Sequence, residues 1–242
     1  MDIYRRFHGR PRTDHPPEAI EALKRLAVTN RDSTYVDIGV RYGYSSEALL
    51  HKADDNNNRV VGIDIDRVNI PRKLLKRERY NFKEADSVTA GVLWEPDAPV
   101  AILFIDAIHT REQVLAELWA WYPHLEPGAT IVFHDTHWPV DKREMFAGRP
   151  RRRVDEAVVD FLGLEFLQAT STRDFSLSVI PSGFGMTLVQ LRGKPDLLDN
   201  VDDWEFIFSE RDDILRTLMS EQARQQIGAL ESASLLAYRS AG

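Results

Sequence analysis

The stretch VAILFIDAIHTREQVLAELWAWYPHLEPGATIVFHDTHWP, Val100 to Pro139, decides the fold. Two runs within it, VAILFID and ATIVFHD, are apolar without interruption, and each ends on an aspartate, Asp106 and Asp135. Continuous rather than alternating apolar residues mark strands covered on both faces by helices. Between them Leu115, Leu118, Trp119 and Tyr122 recur at helical spacing, so the two aromatics read as core, and EPG stops the helix. Two buried strands that each end on an acid, with His109, His134 and His137 close by, pose the functional question of the chain.

Outward from this block the same alternation continues. TYVDIG (34–39) reads as a strand, SSEALLHKA (45–53) as a helix and RVVGIDI (59–65) as a strand. PRKLLKRERY (71–80) opens with Pro at a helix start, and FKEAD (82–86) is a short strand. RRRVDEAVVDFLG reads as a further helix, followed by FSLSVIP and MTLVQLR around the turn SGFG. Phe175, Leu177 and Val179 alternate with serines, which suits an antiparallel strand with one less buried face. The expectation is a doubly wound α/β domain over residues 34–193. Its seven-stranded, mostly parallel sheet would end in an antiparallel hairpin and bind ligands at the carboxyl ends of the strands. Residues 1–33 read as a helical extension containing PPEAIEALKRLA, and residues 194–242 as an acidic helical extension. These flanks suit a lid or a homo-oligomer contact, and the sequence does not choose.

Composition narrows the function. The 242 residues carry no cysteine, which excludes disulfides, thiolate metal sites and a cysteine nucleophile. The opening MDIYRRFHGRPRTDHPP has no apolar h-region and no window reaches the roughly 18 apolar residues of a membrane span, so a cytoplasmic protein without membrane partners is expected. The net charge of −7 is uneven: residues 194–242 contribute −5 and the first 193 residues only −2. No general basic face for nucleic acid is present in that pattern. The one dense basic run, GRPRRR (148–153), reads as a solvated loop, or as an anion-gripping lid.

VDIGVRYGYSS (36–46) places Asp37, Gly39, Gly43 and Ser45 in the turn that leaves the first strand. Glycines there let the backbone approach a ligand closely, and the following helix offers free N–H groups. The spacing G-x-x-x-G differs from the G-x-G-x-x-G that cradles a dinucleotide pyrophosphate, which weakens a nicotinamide or flavin reading. VVGIDID ends the second strand on Asp64, where a carboxylate can accept from both hydroxyls of a ribose. Asp86 in EADS ends the third. Each acid alone could be a helix cap; three at successive strand ends suggest a nucleoside site.

VDIGVRYGYSS resembles motif I of the class I S-adenosylmethionine-dependent methyltransferases, in particular the small-molecule O-methyltransferases that read E/D-x-G-x-x-x-G-Y-S. The block from FIDAIH to FHDT is similar to a bacterial group reading FIDGDHSYE, a helix, L-x-P-G-G and HDT, with Ala129 replacing a glycine and Ile108 an acid. The similarity spans roughly residues 33–193 and implies a Rossmann-like methyltransferase fold. It implies that Gly39, Gly43 and Ser45 hold the methionine end of S-adenosylmethionine, Asp37 lies near its amino group, Asp64 holds the ribose, Asp86 and Ser87 lie near adenine, and Asp106 touches the cofactor.

Asp106 and Asp135 can converge at neighbouring strand ends, and two carboxylates there repel unless a cation lies between them. The catechol and caffeoyl-CoA type of O-methyltransferase holds a divalent metal, usually magnesium, at the matching positions, which implies Asp106, Asp135 and Thr136 as ligands. His134 or His137 could supply a nitrogen instead, which favours a softer ion. His109 falls where those enzymes carry a lysine base, and its ordinary pKa of about 6.5 suits removal of a hydroxyl proton. The competing readings are His109 as an N-cap, Asp135 as a turn cap and Asp106 as a cofactor contact only. The functional expectation is a metal-assisted O-methyltransferase for a small hydroxylated acceptor such as a sugar, phenol or natural-product intermediate. An N-methyltransferase, a cephalosporin-hydroxylase-like relative and a non-catalytic cofactor-binding module are the alternatives.

Overall fold

The computed structural model describes residues 15–67, 69–94, 99–137, 153–164 and 175–193. The acidic extension, residues 1–14, most of the basic run and Trp138 lie outside the described residues. The helix expected in PPEAIEALKRLA is α1 (Pro17–Leu26), started by proline and amphipathic, with Ala19 and Leu23 buried. Then follow β1 (Thr34–Ile38), α2 (Tyr44–Leu49), α3 (Ala53–Asn56), β2 (Arg59–Asp64), β3 (Tyr80–Glu84) and α4 (Ser87–Val92). β4 (Val100–Ile105), α5 (Arg111–Trp121) and β5 (Leu125–His134) form the central unit, and α6 (Val154–Leu162), β6 (Phe175–Ile180) and β7 (Met186–Leu191) complete the order.

The seven strands form one sheet in the order β3-β2-β1-β4-β5-β7-β6. The first five are parallel, and β7 runs antiparallel between β5 and β6, as the alternating serines of β6 foretell. The apolar strands serve two cores. Ile63, Leu103, Ile105, Ile131 and Phe133 meet helices α4, α5 and α6 on one face. Tyr35, Ile102, Phe104 and Val132 meet α1 and α2 on the other. Chain order reverses between β1 and β4, so a crevice is expected at the carboxyl ends there.

Four expectations are corrected. Residues 71–79 form consecutive turns rather than a helix, closed by Leu74 N–H to Pro71 O and Arg77 N–H to Leu74 O. Leu74 is the one fully buried residue among its charged neighbours, too little apolar surface to hold an isolated helix. β3 begins at Tyr80, two residues early, and Asp86 starts α4 instead of ending a strand. EPG does not stop α5; the helix passes at Trp121 into a 3-10 turn over Tyr122–His124, and EPG lies in β5. There the register jumps from Val100↔Leu125 to Ile102↔Thr130, so the intervening residues bulge, with Gly128 at φ 86°. Finally, Trp121 rather than Trp119 is the fully buried tryptophan of α5, and its indole N–H donates to Ser87 O. No helix among the described residues is long and apolar enough to cross a membrane.

Parallel register sets the rim. Ile38 pairs with Ile63 on one side and with Ile105 on the other, and Ile105 pairs with Phe133. The next residue of each strand is Gly39, Asp64, Asp106 and His134, so all four stand level at one edge of the sheet. Gly39 has φ 86°, and a Cβ built on it would lie 2.1 Å from Asp106 O. Gly39→Ala is therefore expected to lower stability in urea by about 2 to 4 kcal/mol, since both the conformation and the space exclude a side chain. A loss below about 0.5 kcal/mol would show that the β1 and β4 ends are not in this contact.

Candidate active site

At the β1 end Asp37 is fully buried inside the strand. Its Oδ2 accepts from the hydroxyls of Ser45 (2.9 Å) and Ser46 on α2, while Oδ1 is buried with no hydrogen-bond partner among the described residues. Burial pushes its carboxyl up to about 7, against the lowering effect of the two serine hydrogen bonds, with the charges of Asp106 and Asp64 adding to the rise. Gly43, at φ 77°, sits at the start of α2 and lets Leu74 pack against it. Asp64 lies level with Gly39; its Oδ2 accepts from Arg41 N–H at 2.8 Å and Oδ1 from Asp66 N–H at 3.2 Å. Backbone donors thus fix the carboxylate across the turn from the glycines.

Asp86 caps α4 by accepting from Thr89 N–H and Oγ1. Ser87, expected near adenine, is turned into the α4–α5 contact: its hydroxyl donates to Glu117 Oε1 at 2.6 Å, and Gln113 Nε2 donates to the same oxygen at 2.9 Å. A Gln–Glu pair one helical turn apart holds this serine, which takes its side chain away from a ligand role.

The acids at the β4 and β5 ends do come together, through histidines. His134 Nδ1 lies 3.1 Å from Asp106 Oδ1 and 2.9 Å from Asp135 Oδ1. His109 Nε2 lies 2.8 Å from Asp106 Oδ1 and 3.4 Å from Asp135 Oδ2. Asp135, a non-glycine residue at φ 60°, turns the chain back after β5 and so brings its carboxylate under His134. His109 does not cap α5; Thr110 does, accepting from Gln113 N–H, and His109 stands free of that duty one residue earlier. Burial would raise the Asp106 carboxyl, but the charge and hydrogen bonds of His134 and His109 outweigh it and hold it well below the usual range. Asp135 is lowered in the same way: burial would raise it, and the bond from His134 and the two imidazole charges prevail. His134 shows the converse, since burial alone would lower it and the two aspartates carry it up to about 10.

Two sequence candidates stand elsewhere. Thr136 Oγ1 is 2.8 Å from Thr187 Oγ1 on β7 and 3.1 Å from His137 Nδ1, and the His137 N–H donates to Phe184 O. Both residues thus face the β6–β7 hairpin rather than the acids, because the turn at Asp135 rotates the chain away. One participant had no motif to mark it: His15, buried just before α1, lies with Nδ1 3.0 Å from His134 Nε2 and Nε2 3.6 Å from Asp106 Oδ2. Three-donor groups able to hold a metal ion are His15, Asp106 and His134, and His109, His134 and Asp135. Each combines two imidazoles with one carboxylate. That donor set fits a divalent ion of intermediate softness; magnesium, which takes oxygen ligands, is the poorer match.

This strand order, with the antiparallel β7 next to β5, is that of the Rossmann-like methyltransferase fold. Residues 36–136 match the model of a family described as a methyltransferase domain. Among solved structures, the O-methyltransferase from Bacillus cereus in complex with S-adenosylhomocysteine shares 17% identity at a TM-score of 0.56, over 75% of this chain and 84% of that one. Cofactor-bound Rv0187 from MTB shares 20% at 0.55, over 75% and 83%. TomG from Streptomyces achromogenes, an O-methyltransferase of tomaymycin synthesis in complex with S-adenosylmethionine, shares 18% at 0.54, over 74% and 82%. These similarities are of fold. No curated protein matches the sequence.

The Asp37 environment carries a signed prediction. The folded chain keeps a proton that the unfolded chain releases near pH 4, so this residue lowers stability as pH rises from about 4 to about 7. Asp37→Asn removes that slope. In urea unfolding across pH 4 to 8 the stability difference between the two proteins should change by on the order of 4 kcal/mol in favour of the variant. Parallel curves would mean that Asp37 is ionised throughout.

Proposed function

We propose that the chain is an S-adenosylmethionine-dependent O-methyltransferase of the cytoplasm, acting on a small hydroxylated acceptor such as a sugar, phenol or natural-product intermediate with a divalent ion assisting. The observation that carries this reading is the level placement of Gly39 and Asp64 beside Asp106 and His134, a nucleoside-type rim next to a proton-handling cluster. The fit of the cofactor to these residues is supported by the buried, unpartnered Asp37 Oδ1, an acceptor suited to an ammonium group. In this reading Gly39, Gly43 and Ser45 take the methionine end, Asp64 the ribose hydroxyls, and Asp86 lies toward adenine.

The cofactor supplies a methyl group on a sulfonium, already activated for transfer. What remains for the chain is to align the acceptor oxygen with that methyl and to take its proton. His109 is the candidate base. Its imidazole is held at one nitrogen by Asp106 and is the most exposed of the cluster's histidines, with a side chain 16% accessible against 7% for His15 and 4% for His134. Transfer of that methyl to the acceptor oxygen would leave S-adenosylhomocysteine, and His109 would take the hydroxyl proton. A divalent ion held by Asp106 and His134, which form a three-donor group with His15, would lower the pKa of that hydroxyl as a Lewis acid.

Calorimetry with S-adenosylhomocysteine tests the cofactor half: Asp64→Ala should weaken binding by about 1.5 to 3 kcal/mol, the worth of hydrogen bonds to a charged group. Unchanged affinity would displace the ribose from this rim. His109→Ala should reduce turnover by about 100-fold or more while leaving cofactor affinity within twofold. Equal rates for variant and parent would remove His109 from proton transfer.

A further inference from the structure

A chain of hydroxyls runs from the third strand to the acid of the first. Tyr80 opens β3, is buried, and its hydroxyl reaches across β2 at Gly62, where a Cβ would stand 2.1 Å from Tyr80 Oη. That hydroxyl lies 3.3 Å from Ser46 Oγ on α2, and Ser46 Oγ in turn donates to Asp37 Oδ2. A serine hydroxyl has one proton, and Ser46 commits it to the carboxylate in the closer of its two contacts, so the Tyr80 O–H is the donor to Ser46 Oγ. Burial, with the Asp37 charge behind it, pushes the Tyr80 phenol well above its ordinary range, so the phenol keeps that proton. Ser45 donates to the same Asp37 Oδ2 at 2.9 Å, so both serines load one oxygen. Oδ1 is left buried with no hydrogen-bond partner among the described residues. A buried tyrosine that only satisfies its hydroxyl is ordinary. This one ends in a fully buried acid whose second oxygen is unfilled, and a glycine in the interior of β2 makes the room for it.

We propose that Tyr80 is a positioning residue for the methionine end of S-adenosylmethionine: acting through Ser46, it fixes the Asp37 carboxylate so that Oδ1 is kept for the cofactor's ammonium group. The proposal rests on the cofactor reading above and adds to it a residue and a route that lie outside the glycine-turn motif. A carboxylate without fixed donors can rotate and exchange its two oxygens; serine donors on Oδ2 oppose that exchange. The Ser46 hydroxyl is itself a rotor, and a phenol donating into its oxygen leaves its proton directed at Asp37. Each donor in such a row polarises the next, which strengthens the bond at the carboxylate. An acceptor ordered before the ligand arrives spares the ordering cost at binding. Tyr80 belongs to the same apolar core as Val40, Leu49 and Leu74, so its ring is held by packing and its hydroxyl has little freedom to turn away.

The test is calorimetry on the full chain at about pH 8, above the value of about 7 to which the Asp37 carboxyl is raised, with two probes. One is S-adenosylhomocysteine. The other is 5′-methylthioadenosine, which keeps the adenosine and the sulfur but lacks the amino-acid end. Tyr80→Phe deletes only the hydroxyl and should weaken S-adenosylhomocysteine about 3- to 10-fold while leaving methylthioadenosine within about twofold. Ser46→Ala, which removes the bond to the carboxylate itself, should weaken S-adenosylhomocysteine by about 10-fold or more and spare methylthioadenosine in the same way. In the Ser46→Ala background Tyr80→Phe should cost nothing further, because the link between the two is already gone. Unchanged S-adenosylhomocysteine affinity in Tyr80→Phe would overturn the role of Tyr80, and so would an equal loss of both probes, which a merely structural tyrosine would produce. Additive losses in the double variant would overturn the route through Ser46. If Tyr80→Phe does not fold, Ser46→Ala carries the comparison of probes, and an equal loss of both there overturns the proposal. A parent that binds methylthioadenosine as tightly as S-adenosylhomocysteine would take the ammonium group away from Asp37 while keeping the nucleoside rim, whereas a parent that binds neither probe would strike the cofactor reading itself.

Discussion

Two aspartates at adjacent strand ends, both largely removed from water, impose the constraint around which the rim is organised. Asp106 and Asp135 are bridged by the imidazoles of His134 and His109, each of which touches both. Neither carboxylate is lowered by burial; burial works against both, and the histidines reverse it. Such a cluster is costly to assemble and unforgiving of a missing partner, since removing one charge leaves another buried alone. The backbone meets that demand with register: four parallel strands in step place the glycine turn, Asp64 and the carboxylates level, and the turn at Asp135 completes the set.

Asp37 sits a short way along the same rim and is handled in the opposite manner. It has two serine hydroxyls and no cation, so burial dominates and its carboxyl rises rather than falls. Equivalent side chains therefore serve different ends within one crevice. The cluster at β4 and β5 concentrates charge, whereas burial holds the β1 carboxylate toward its neutral form.

Much of this was legible in the sequence because parallel strands buried on both faces leave a plain mark. VAILFID and ATIVFHD became β4 and β5, and the serine alternation of FSLSVIP became the edge strand β6. Legibility failed where local pattern and tertiary packing disagreed. PRKLLKRERY has the letters of a helix but buries chiefly Leu74, and the glycine and proline of EPG were absorbed by a bulge instead of ending α5. Of the residues the sequence singled out, the structure gathers Asp106, Asp135, His109 and His134 on one rim. Thr136 was misplaced because a single positive φ at Asp135 rotates everything after it, and no pattern of residue types announces that rotation. Ser87 was misread for a related reason: its partner Glu117 is thirty positions away on another helix.

His15 is the instructive omission. It precedes two prolines and a helix, a context that reads as a loop, and nothing within ten residues of it speaks of catalysis. Its meaning comes wholly from α1, whose Ala19 and Leu23 are buried in the same core as Phe104 of β4. Packing of that amphipathic helix brings the preceding turn over the rim and delivers an imidazole to the far side of His134. The contact between His15 and His134 is therefore maintained by apolar burial about one helix turn away, so the N-terminal helix is coupled to the cluster through hydrophobic packing.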